Sequence, residues 1–523
     1  MRTPITPLCL ALICALHSHT FAEVTLPALF GDNMVLQQEA KVPVWGKASP
    51  GEKISISFAG QTVRTTANSD GAWHAALRPL RANANGTTLT VRGTNTLAFG
   101  NVLVGEVWLC SGQSNMEWTP KRGILNQQAE IATANYPQIR LFTVGQKISA
   151  KPVDDVKGSW AECTSATMPL FSAVGYFFGR ELHQELKVPV GLICSSWGGT
   201  PAQAWTRHEV LEADAGTSGH SGLKAHISRW EKRVAKFPEE KKAFAEKLKK
   251  WEDETTAAKA LGKTPPQKPW LSDPATSPNC PSCLYGGMIA PLIPFAIRGA
   301  IWYQGESNAG NPELALDYRR LLPAMITDWR AQWKQGDFPF LIVQLANFKE
   351  RATQPGDANW ALLRESQFRT LSLPKTALAV AIDIGEAGDI HPKNKQEVGH
   401  RLALAGRATA YGRDVIHSGP IFESMRIKDG AITLRFRNAT GGLVSKPDGS
   451  PKAFAVAGED RKFVWADARI DGEKIVVTSP EVKKPVAVRY AWADNPEATL
   501  YNKAGLPTVP FRTDDWPPAE IRP

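Results

Sequence analysis

The chain has 523 residues, of which 43% are hydrophobic and 21% charged, and it carries a formal net charge of +10. These values suit a soluble globular protein of two to four domains. They do not indicate nucleic-acid binding, because ten Lys/Arg against four Glu place +6 within residues 223–250 alone, where apolar residues have helical spacing. We expect a solvated helix face there and no nucleic-acid partner.

The N-terminus has the pattern of a secretory signal peptide, over residues 1–22. Arg2 precedes an apolar run from Leu8 to Leu16, and small residues surround a cleavage position after Ala22. The run is too short to span a membrane, and no later stretch is long and apolar enough to do so. We expect a soluble mature protein without membrane association, periplasmic or secreted.

Residues 23–100 have the pattern of a small N-terminal β-sandwich. Alternating runs at 42–49, 53–60 and 72–77 are separated by turn-rich stretches such as 68–71. Short alternating runs bounded by Gly, Pro, Asn and Asp are typical of such sheets.

A strand–helix rhythm begins at about residue 101. Apolar strands that alternate with amphipathic helices predict a parallel α/β sheet covered by helices on both faces. This core is predicted in two parts, 101–208 and 280–414. The predicted elements are strand 102–112, helix 171–186, strand 188–196, strand 298–305, helix 317–333, strand 338–347, helix 360–371, strand 376–385 and helix 393–410.

Residues 209–279 interrupt the core as a helical insertion. Apolar residues recur at helical spacing on both sides of Pro238, which is expected to begin a second helix. Just beyond the insertion, Cys280 and Cys283 are the only closely spaced cysteines. Without a second cluster of ligands they favour a local disulfide or simple loop cysteines, and no metal is expected.

Residues 415–523 return to a β pattern and predict a C-terminal β-rich domain. Asp-Gly stands between alternating apolar runs at 429–430 and again at 471–472. This dipeptide is the strongest short signal for a β-hairpin, so we expect two hairpins here.

Polar or glycine-rich stretches follow four of the predicted core strands. They are residues 112–115, 197–200, 304–308 and 389–392. Functional groups of open α/β sheets gather at the carboxyl ends of the strands. One such stretch would indicate only a turn, but four at strand ends predict a functional site.

The residue types in these stretches suit acyl transfer, which needs a nucleophile, a base and donors to an oxyanion. Ser114 follows the flexible Gly112, so its hydroxyl can be exposed as a nucleophile. His391 lies at a different strand end, and its imidazole titrates near neutrality, as a general base requires. The alternatives are an ordinary turn serine and a helix-cap or loop histidine.

The candidate oxyanion donors come from the same stretches. The backbone N–H of Ser114 is one. The second is the N–H of Gly198 or of Gly199, and the third is the side-chain amide of Asn308 or Gln304.

Four blocks of the sequence resemble the sialate O-acetylesterases, which are carbohydrate esterases of the SGNH hydrolase group. The blocks are GQSNM (112–116), SSWGGTPAQAW (195–205), IWYQGESN (301–308) and DIHPKNKQEVGHRLAL (389–404). The resemblance implies a serine esterase that acts on O-acetylated glycans or sialic acids, without metal or organic cofactor. It implies a three-layer, flavodoxin-like α/β core flanked by β-rich domains.

The resemblance assigns Ser114 as the nucleophile and His391 as the base, but it leaves the acid of the triad open. The SGNH pattern has an Asp three residues before the His, and this chain has Gly388 there. The candidates are Asp389, two residues before the His, then Glu306, with Asp383 and Glu386 as further rivals.

Substrate contacts are expected from aromatic side chains, because tryptophan faces stack on sugars and the chain has 17 Trp. Those beside the chemical blocks are Trp118, Trp197 and Trp205. Arg207 and Lys121 are placed to meet a sugar carboxylate, although surface solvation is the commoner role for such residues.

Two other functions remain open at this level. An acetyl xylan esterase or another polysaccharide deacetylase would use the same residues. A non-catalytic glycan-binding protein with a decayed hydrolase core is the alternative from another class, and the intact Ser114, Asn115 and His391 argue against it.

Overall fold

The structure is a computed structural model that describes residues 23–216 and 221–518. The predicted signal peptide, residues 1–22, lies outside the described residues. The described chain forms a mixed α/β core with additional β-structure before and after it in sequence.

The N-terminal region is built from short strands that alternate buried and exposed residues, as β3 does. The antiparallel pairs are β3 with β4 and β6, β6 with β7, and β2 with β5. The strands are β1 (Val35–Gln37), β2 (Val42–Lys47), β3 (Lys53–Phe58), β4 (Gln61–Thr66), β5 (Ala72–Leu77), β6 (Asn83–Arg92) and β7 (Thr96–Gly112).

One long strand connects this region to the core. The first half of β7 pairs antiparallel with β6, and its second half pairs parallel with core strands on both sides. Every residue from Val102 to Gly112 is buried, which explains the continuous apolar run in the sequence. The strand therefore runs across position 100, where we expected one domain to end.

The core sheet has the order β13-β12-β11-β7-β10-β8-β9 and is parallel except for β9 at the edge. Its further strands are β8 (Tyr136–Thr143), β9 (Trp160–Cys163), β10 (Val190–Ser196), β11 (Gly299–Tyr303), β12 (Phe340–Gln344) and β13 (Thr376–Val380). Strands β8 and β9 were not predicted. Pro137 and Arg140 interrupt the apolar pattern of β8, and Arg140 is buried because Glu162 of β9 neutralises it at 3.2 Å.

Helices cover both faces of this sheet. The helices are α1 (Ser114–Glu117), α2 (Gln127–Ala132), α3 (Ala173–Leu186), α4 (His208–Ala213), α5 (Lys224–Ala260), α6 (Pro312–Trp333), α7 (Asn359–Arg369) and α8 (Lys395–Tyr411). Trp108 of β7 contacts Phe178 of α3 with ring centroids 4.9 Å apart. Trp302 of β11 points to the other face and contacts Trp329 of α6 at 5.9 Å.

The insertion contains one long helix instead of two. Helix α5 continues through Pro238, so the prediction that a second helix begins at this residue is wrong. A proline removes only one backbone donor, and the Ala, Glu and Lys residues on both sides strongly favour helix. The basic residues of α5 lie on exposed or half-buried positions, as expected for a solvated helix face.

The C-terminal region is β-rich, as predicted. Its strands are β14 (Ile421–Lys428), β15 (Ala431–Arg437), β16 (Leu443–Ser445), β17 (Phe454–Ala457), β18 (Phe463–Trp465), β19 (Asp467–Asp471), β20 (Lys474–Thr478), β21 (Ala487–Tyr490), β22 (Leu500–Asn502) and β23 (Phe511–Arg512). Both Asp-Gly hairpins are confirmed, as β14–β15 and β19–β20. Asp429 and Gly430 have φ values of 51° and 76°, which a tight hairpin turn of type I′ requires.

The described part of the chain holds no disulfide, and Cys280 and Cys283 are both free thiols. Within residues 23–216 and 221–518, no three His, Cys, Asp or Glu side chains are grouped as a metal site would need. In the same ranges, none of the helices has the length and apolar character to cross a bilayer.

Candidate active site

The site is built where β7 and β11 end side by side. Gly112, the last residue of β7, has φ +138°, and a Cβ there would lie 2.1 Å from the Tyr303 carbonyl oxygen. Only glycine fits this backbone position. The chain therefore turns sharply after the strand and places Ser114 at the start of α1, half-exposed at the carboxyl edge of the sheet.

Gln113 fastens this turn to the end of β11. Its side-chain oxygen accepts hydrogen bonds from the Gln304 side-chain amide at 3.2 Å and from the Ser307 backbone N–H at 3.2 Å. Gln113 is buried, so these bonds are shielded from water. The two strand ends that carry candidate residues are thereby held in one rigid arrangement.

The structure brings Ser114 and His391 into direct contact. Ser114 Oγ lies 2.9 Å from His391 Nε2, although the two residues are 277 positions apart. His391 Nδ1 lies 3.3 Å from Asp389 Oδ1. The same carboxylate oxygen accepts the backbone N–H of His391 at 2.9 Å, which is how an acid only two residues away reaches the imidazole.

The surroundings favour the neutral form of the imidazole. The pKa of His391 is lowered, first by burial and then by the positive charge of Lys395, while Asp389 acts in the opposite direction. A neutral imidazole is the form that accepts a proton. The ring is covered by Trp118, which stacks on it with centroids 4.5 Å apart and planes inclined by 20°.

The other three candidate acids do not contact the imidazole. Asp383 binds Arg401 through both carboxylate oxygens, at 2.6 and 2.9 Å. Glu386 lies 3.9 Å from the Lys393 ammonium and accepts the backbone N–H of the same residue. These contacts leave Asp389 as the acid next to His391.

Glu306 is buried and contacts Asn115 instead of the imidazole. Its Oε1 accepts a hydrogen bond of 2.6 Å from the Asn115 side-chain amide. Burial raises the pKa of the Glu306 carboxyl, and the bond from Asn115 partly opposes this. Glu306 therefore acts on the residue beside Ser114 and does not touch His391.

The expected oxyanion donors are only partly free. The Gly198 N–H donates to Glu117 Oε2 at 2.7 Å, so the prediction that it is an available donor is wrong for this structure. Gly199 follows with φ +74°. The Ser114 N–H belongs to the first turn of α1, where backbone donors have no partner within the helix.

The two side-chain amides proposed as oxyanion donors, Gln304 and Asn308, differ in their hydrogen bonds. The Gln304 side-chain nitrogen faces three acceptors, including Asn308 Oδ1 at 2.8 Å, and its oxygen accepts from the Tyr318 hydroxyl. Gln304 is thus committed inside the core, and the prediction that it is an oxyanion donor is wrong. Asn308 Nδ2 carries two hydrogens and donates one bond, to Gln203 at 3.0 Å.

Of the three tryptophans expected at the substrate, Trp205 lies in the core. It is fully buried, its Nε1 donates to Thr200 Oγ1 at 2.9 Å and its ring meets Trp302 edge-on. The prediction for Trp205 is wrong, because proximity in sequence to a chemical block does not determine which way a side chain faces. Trp118 and Trp197 are half-buried.

The two basic residues expected to meet a sugar carboxylate differ in their surroundings. Arg207 is engaged, with Asp328 at 3.0 Å and Glu209 at 3.3 Å. Lys121 is exposed. Sequence reasoning missed its neighbour Arg122, whose guanidinium carbon lies 5.8 Å from the Trp118 ring centroid.

Arg122 is exposed, and among residues 23–216 and 221–518 it has no acidic partner in an ion pair. Its position four residues after Trp118 and directly after Lys121 could have indicated it. Lys395 was also missed, and no sequence signal marks that lysine as buried.

A serine, a histidine and an aspartate in this contact order, at the carboxyl edge of a parallel sheet, have the arrangement that hydrolases with a serine nucleophile use. Residues 241–407 match the family described as carbohydrate esterase, sialic acid-specific acetylesterase. The chain is 30% identical to the sialate O-acetylesterases of Homo sapiens and Mus musculus, over 92% of its length and 90% and 93% of theirs. It therefore belongs to the sialate O-acetylesterase family.

A solved structure supports the same assignment. The crystal structure of a carbohydrate acetylesterase from Xanthomonas citri is 38% identical and superposes with a TM-score of 0.79. The match covers 94% of this chain and 100% of that chain. The protein is thus a carboxylic ester hydrolase, as the resemblance in its sequence implied.

Proposed function

We propose that the protein is an exported serine esterase that removes O-acetyl groups from sugars, with O-acetylated sialic acids as preferred substrates. The observation that carries the proposal is the 2.9 Å contact between Ser114 Oγ and His391 Nε2, with Asp389 on the other imidazole nitrogen. Membership of the sialate O-acetylesterase family supports the choice of acetylated sugars.

The first half of the proposed reaction forms an acetyl-enzyme. Ser114 Oγ attacks the acetyl carbonyl carbon while its proton passes to His391 Nε2. The carbonyl oxygen becomes negatively charged. When the tetrahedral intermediate collapses, the bond to the sugar oxygen breaks, and that oxygen takes the proton from His391.

The second half releases acetate. Water attacks the acetyl carbon, His391 accepts a proton from the water, and a second tetrahedral intermediate forms. Its collapse breaks the bond to Ser114 Oγ, which regains the proton. The carboxylate of Asp389 stabilises the imidazolium in both halves and fixes the Nδ1–H tautomer.

The oxyanion is assigned to the backbone N–H of Ser114, the N–H of Gly199 and the free N–H of Asn308. Donors fixed before the reaction stabilise the developing charge without reorganisation. Asn308 is completely buried and its oxygen accepts two bonds, from Ala202 and Gln304, so its amide nitrogen has a fixed direction.

The SGNH type of hydrolase core and the export of the protein are also part of the proposal. The nucleophile, glycine, amide and histidine blocks all follow strands of one parallel sheet with helices on both faces, which supports an SGNH core.

The proposed export rests on the signal-like residues 1–22. N-terminal sequencing of the protein recovered from the periplasm or medium tests it, since a start other than Glu23 would contradict the cleavage site.

The direct test of the catalytic assignment is Ser114→Ala, with Ser149→Ala as a control. Ser149 is a surface-loop serine whose hydroxyl donates to the Lys151 carbonyl. We expect Ser114→Ala to lower kcat for 4-nitrophenyl acetate by about 10⁴-fold or more and the control to keep the wild-type rate. Wild-type turnover by Ser114→Ala would exclude the proposed mechanism.

A panel of acetylated sugars separates sialate esterase from polysaccharide deacetylase, because the mechanism is shared. We expect kcat/KM to be higher on O-acetylated sialic acid than on acetylated xylo-oligosaccharides. The opposite order would make acetyl xylan esterase the better assignment. Tight glycan binding without release of acetate would instead indicate a non-catalytic glycan-binding protein.

A further inference from the structure

The side chain of Asn115 joins three segments of the site. Its Nδ2 donates to Glu306 Oε1 at 2.6 Å and to the Ile390 carbonyl at 3.0 Å, and its Oδ1 accepts from Lys395 Nζ. Asn115 directly follows the nucleophile, and Ile390 directly precedes His391. One buried side-chain amide therefore links the segment that carries the nucleophile to the segment that carries the base.

Lys395 is the unusual member of this network. It is the first residue of α8 and is completely buried. Its Nζ lies 5.5 Å from the ring centroid of Tyr303 and 5.9 Å from that of Trp118, the ring that stacks on His391. Among the residues that the structure describes, none forms an ion pair with this ammonium.

A buried ammonium without an ion pair is costly, and an apolar side chain of similar volume would be cheaper to bury. Stability therefore does not explain Lys395. Its only hydrogen-bond partner in the described chain is Asn115, which orients the loop before the catalytic histidine. The contacts of Lys395 thus point to a role in catalysis.

The charge of Lys395 also acts on the imidazole. Burial lowers the pKa of Lys395 to about 7, and nearby carboxylates oppose this shift. The pKa of His391 is itself lowered, and the positive charge of Lys395 is the second cause after burial. The charged groups that act on the lysine are Glu306, Asp389 and Glu386, and those that act on the histidine are Lys395, Asp389 and Arg122.

We propose that Lys395 is a positioning residue of the esterase. Its ammonium fixes the Asn115 amide, Asn115 holds the Ile390 carbonyl, and the His391 imidazole is thereby kept in bonding contact with the nucleophile. The same positive charge disfavours protonation of His391 before the reaction. The inference rests on the proposed function, because it assigns a role to Lys395 only if His391 is the base.

Two substitutions separate the hydrogen bond from the charge. Lys395→Met removes both and has nearly the shape of lysine, whereas Lys395→Gln removes the charge and keeps an N–H donor. We expect Lys395→Met to lower kcat for 4-nitrophenyl acetate by about 10- to 100-fold, because small displacements of catalytic groups have effects of this size. Lys395→Gln should lose less.

The pH profile supplies a measurement that a purely structural role would not change. With the positive charge gone, His391 is protonated more readily, so the acidic limb of kcat/KM should move to higher pH in both variants. Lys393→Met is the matched control. It removes the same charge two residues earlier, from a half-exposed side chain that lies 3.9 Å from Glu386, and its limb should stay in place.

Thermal unfolding of each variant is measured first, and if Lys395→Met does not fold, Lys395→Gln decides alone. An acidic limb that does not move in a folded Lys395→Gln protein would overturn the proposal. This outcome differs from failure of the proposed function, which is recognised by turnover in the Ser114→Ala protein and does not involve Lys395.

Discussion

Replacing Asp389 by asparagine tests which acid serves His391. The amide oxygen of Asn can still accept the Nδ1–H, so the substitution removes mainly the charge that stabilises the imidazolium. Two unit charges at the observed 3.3 Å interact by about 1 kcal/mol in water and about 5 kcal/mol at an effective dielectric constant of 20.

The side chain of Asp389 is 41% exposed, which places its interaction toward the lower of these values because solvent screens it. A loss of about 1–3 kcal/mol of transition-state stabilisation corresponds to roughly 5- to 150-fold in kcat. This is smaller than the roughly 10⁴-fold loss known for a buried triad aspartate. The half-exposed position of Asp389 explains the difference.

The pH profile of the same variant has a defined sign. Asp389 raises the pKa of His391 against the effects of burial and Lys395. Without its charge the pKa falls further, so the acidic limb of kcat/KM for 4-nitrophenyl acetate should move to lower pH while the plateau decreases. Neutral imidazole then persists at lower pH, but each turnover is slower.

Glu386→Gln is the control for Asp389→Asn. It removes a carboxylate of similar exposure, 40%, from the same loop, but one that lies beside Lys393 instead of the imidazole. We expect a wild-type kcat and an acidic limb that does not move to lower pH, because the carboxylate of Glu386 acts on Lys395 and not directly on His391. If Asp389→Asn kept the wild-type kcat, or moved its acidic limb upward, the assignment of Asp389 as the acid would be refuted.

Two further predictions concern the substrate and the oxyanion. Arg122 is exposed, lies near the Trp118 ring and has no ion-pair partner among the described residues. At a pH above the acidic limb, Arg122→Ala should therefore lower kcat/KM for O-acetylated sialic acid about 10-fold but leave the hydrolysis of neutral acetylated sugars unchanged. Equal losses on both would remove Arg122 from carboxylate recognition. Asn308→Asp keeps an oxygen for the Ala202 N–H but loses the N–H donor. We therefore expect kcat to fall about 10²- to 10³-fold with little change in KM. An unchanged kcat would exclude Asn308 from the oxyanion site.

The contact between Ser114 and His391 could be predicted from the sequence because part of its cause is topological. Both residues follow apolar strands, and the carboxyl ends of parallel strands lie along one edge of a sheet whatever their separation along the chain. The rest could not be predicted, because β13 is three strands from β7 and ends at Val380, so the loop after it must bring the imidazole to Ser114. The hairpins at Asp-Gly were predictable for a comparable reason, because the turn depends on two adjacent residues.

The errors concern side-chain direction, which the spacing of motifs does not contain. Trp205 and Gln304 belong to the sequence blocks that form the site, yet both side chains point into the core and form their hydrogen bonds there. The Gly198 N–H is occupied because Glu117 stands one helical turn after Ser114, a relation that appears only when α1 is built. Lys395 is buried because α8 begins beneath Trp118 and Tyr303, which no local pattern encodes.

The charges around His391 explain how a half-exposed acid can be sufficient. Asp389 alone would raise the pKa of the imidazole, and solvent would weaken its hold on the ring. Burial and Lys395 lower the pKa of the imidazole and so favour its neutral form before the reaction. In the proposed reaction, the carboxylate at 3.3 Å stabilises the imidazolium that forms, and the Asn115 bond to the Ile390 carbonyl holds the segment that carries the ring. In the proposed roles, Asp389 stabilises the imidazolium and Lys395 holds the ring in position through Asn115. The opposite displacements expected for Asp389→Asn and Lys395→Gln follow from the opposite signs of the two charges.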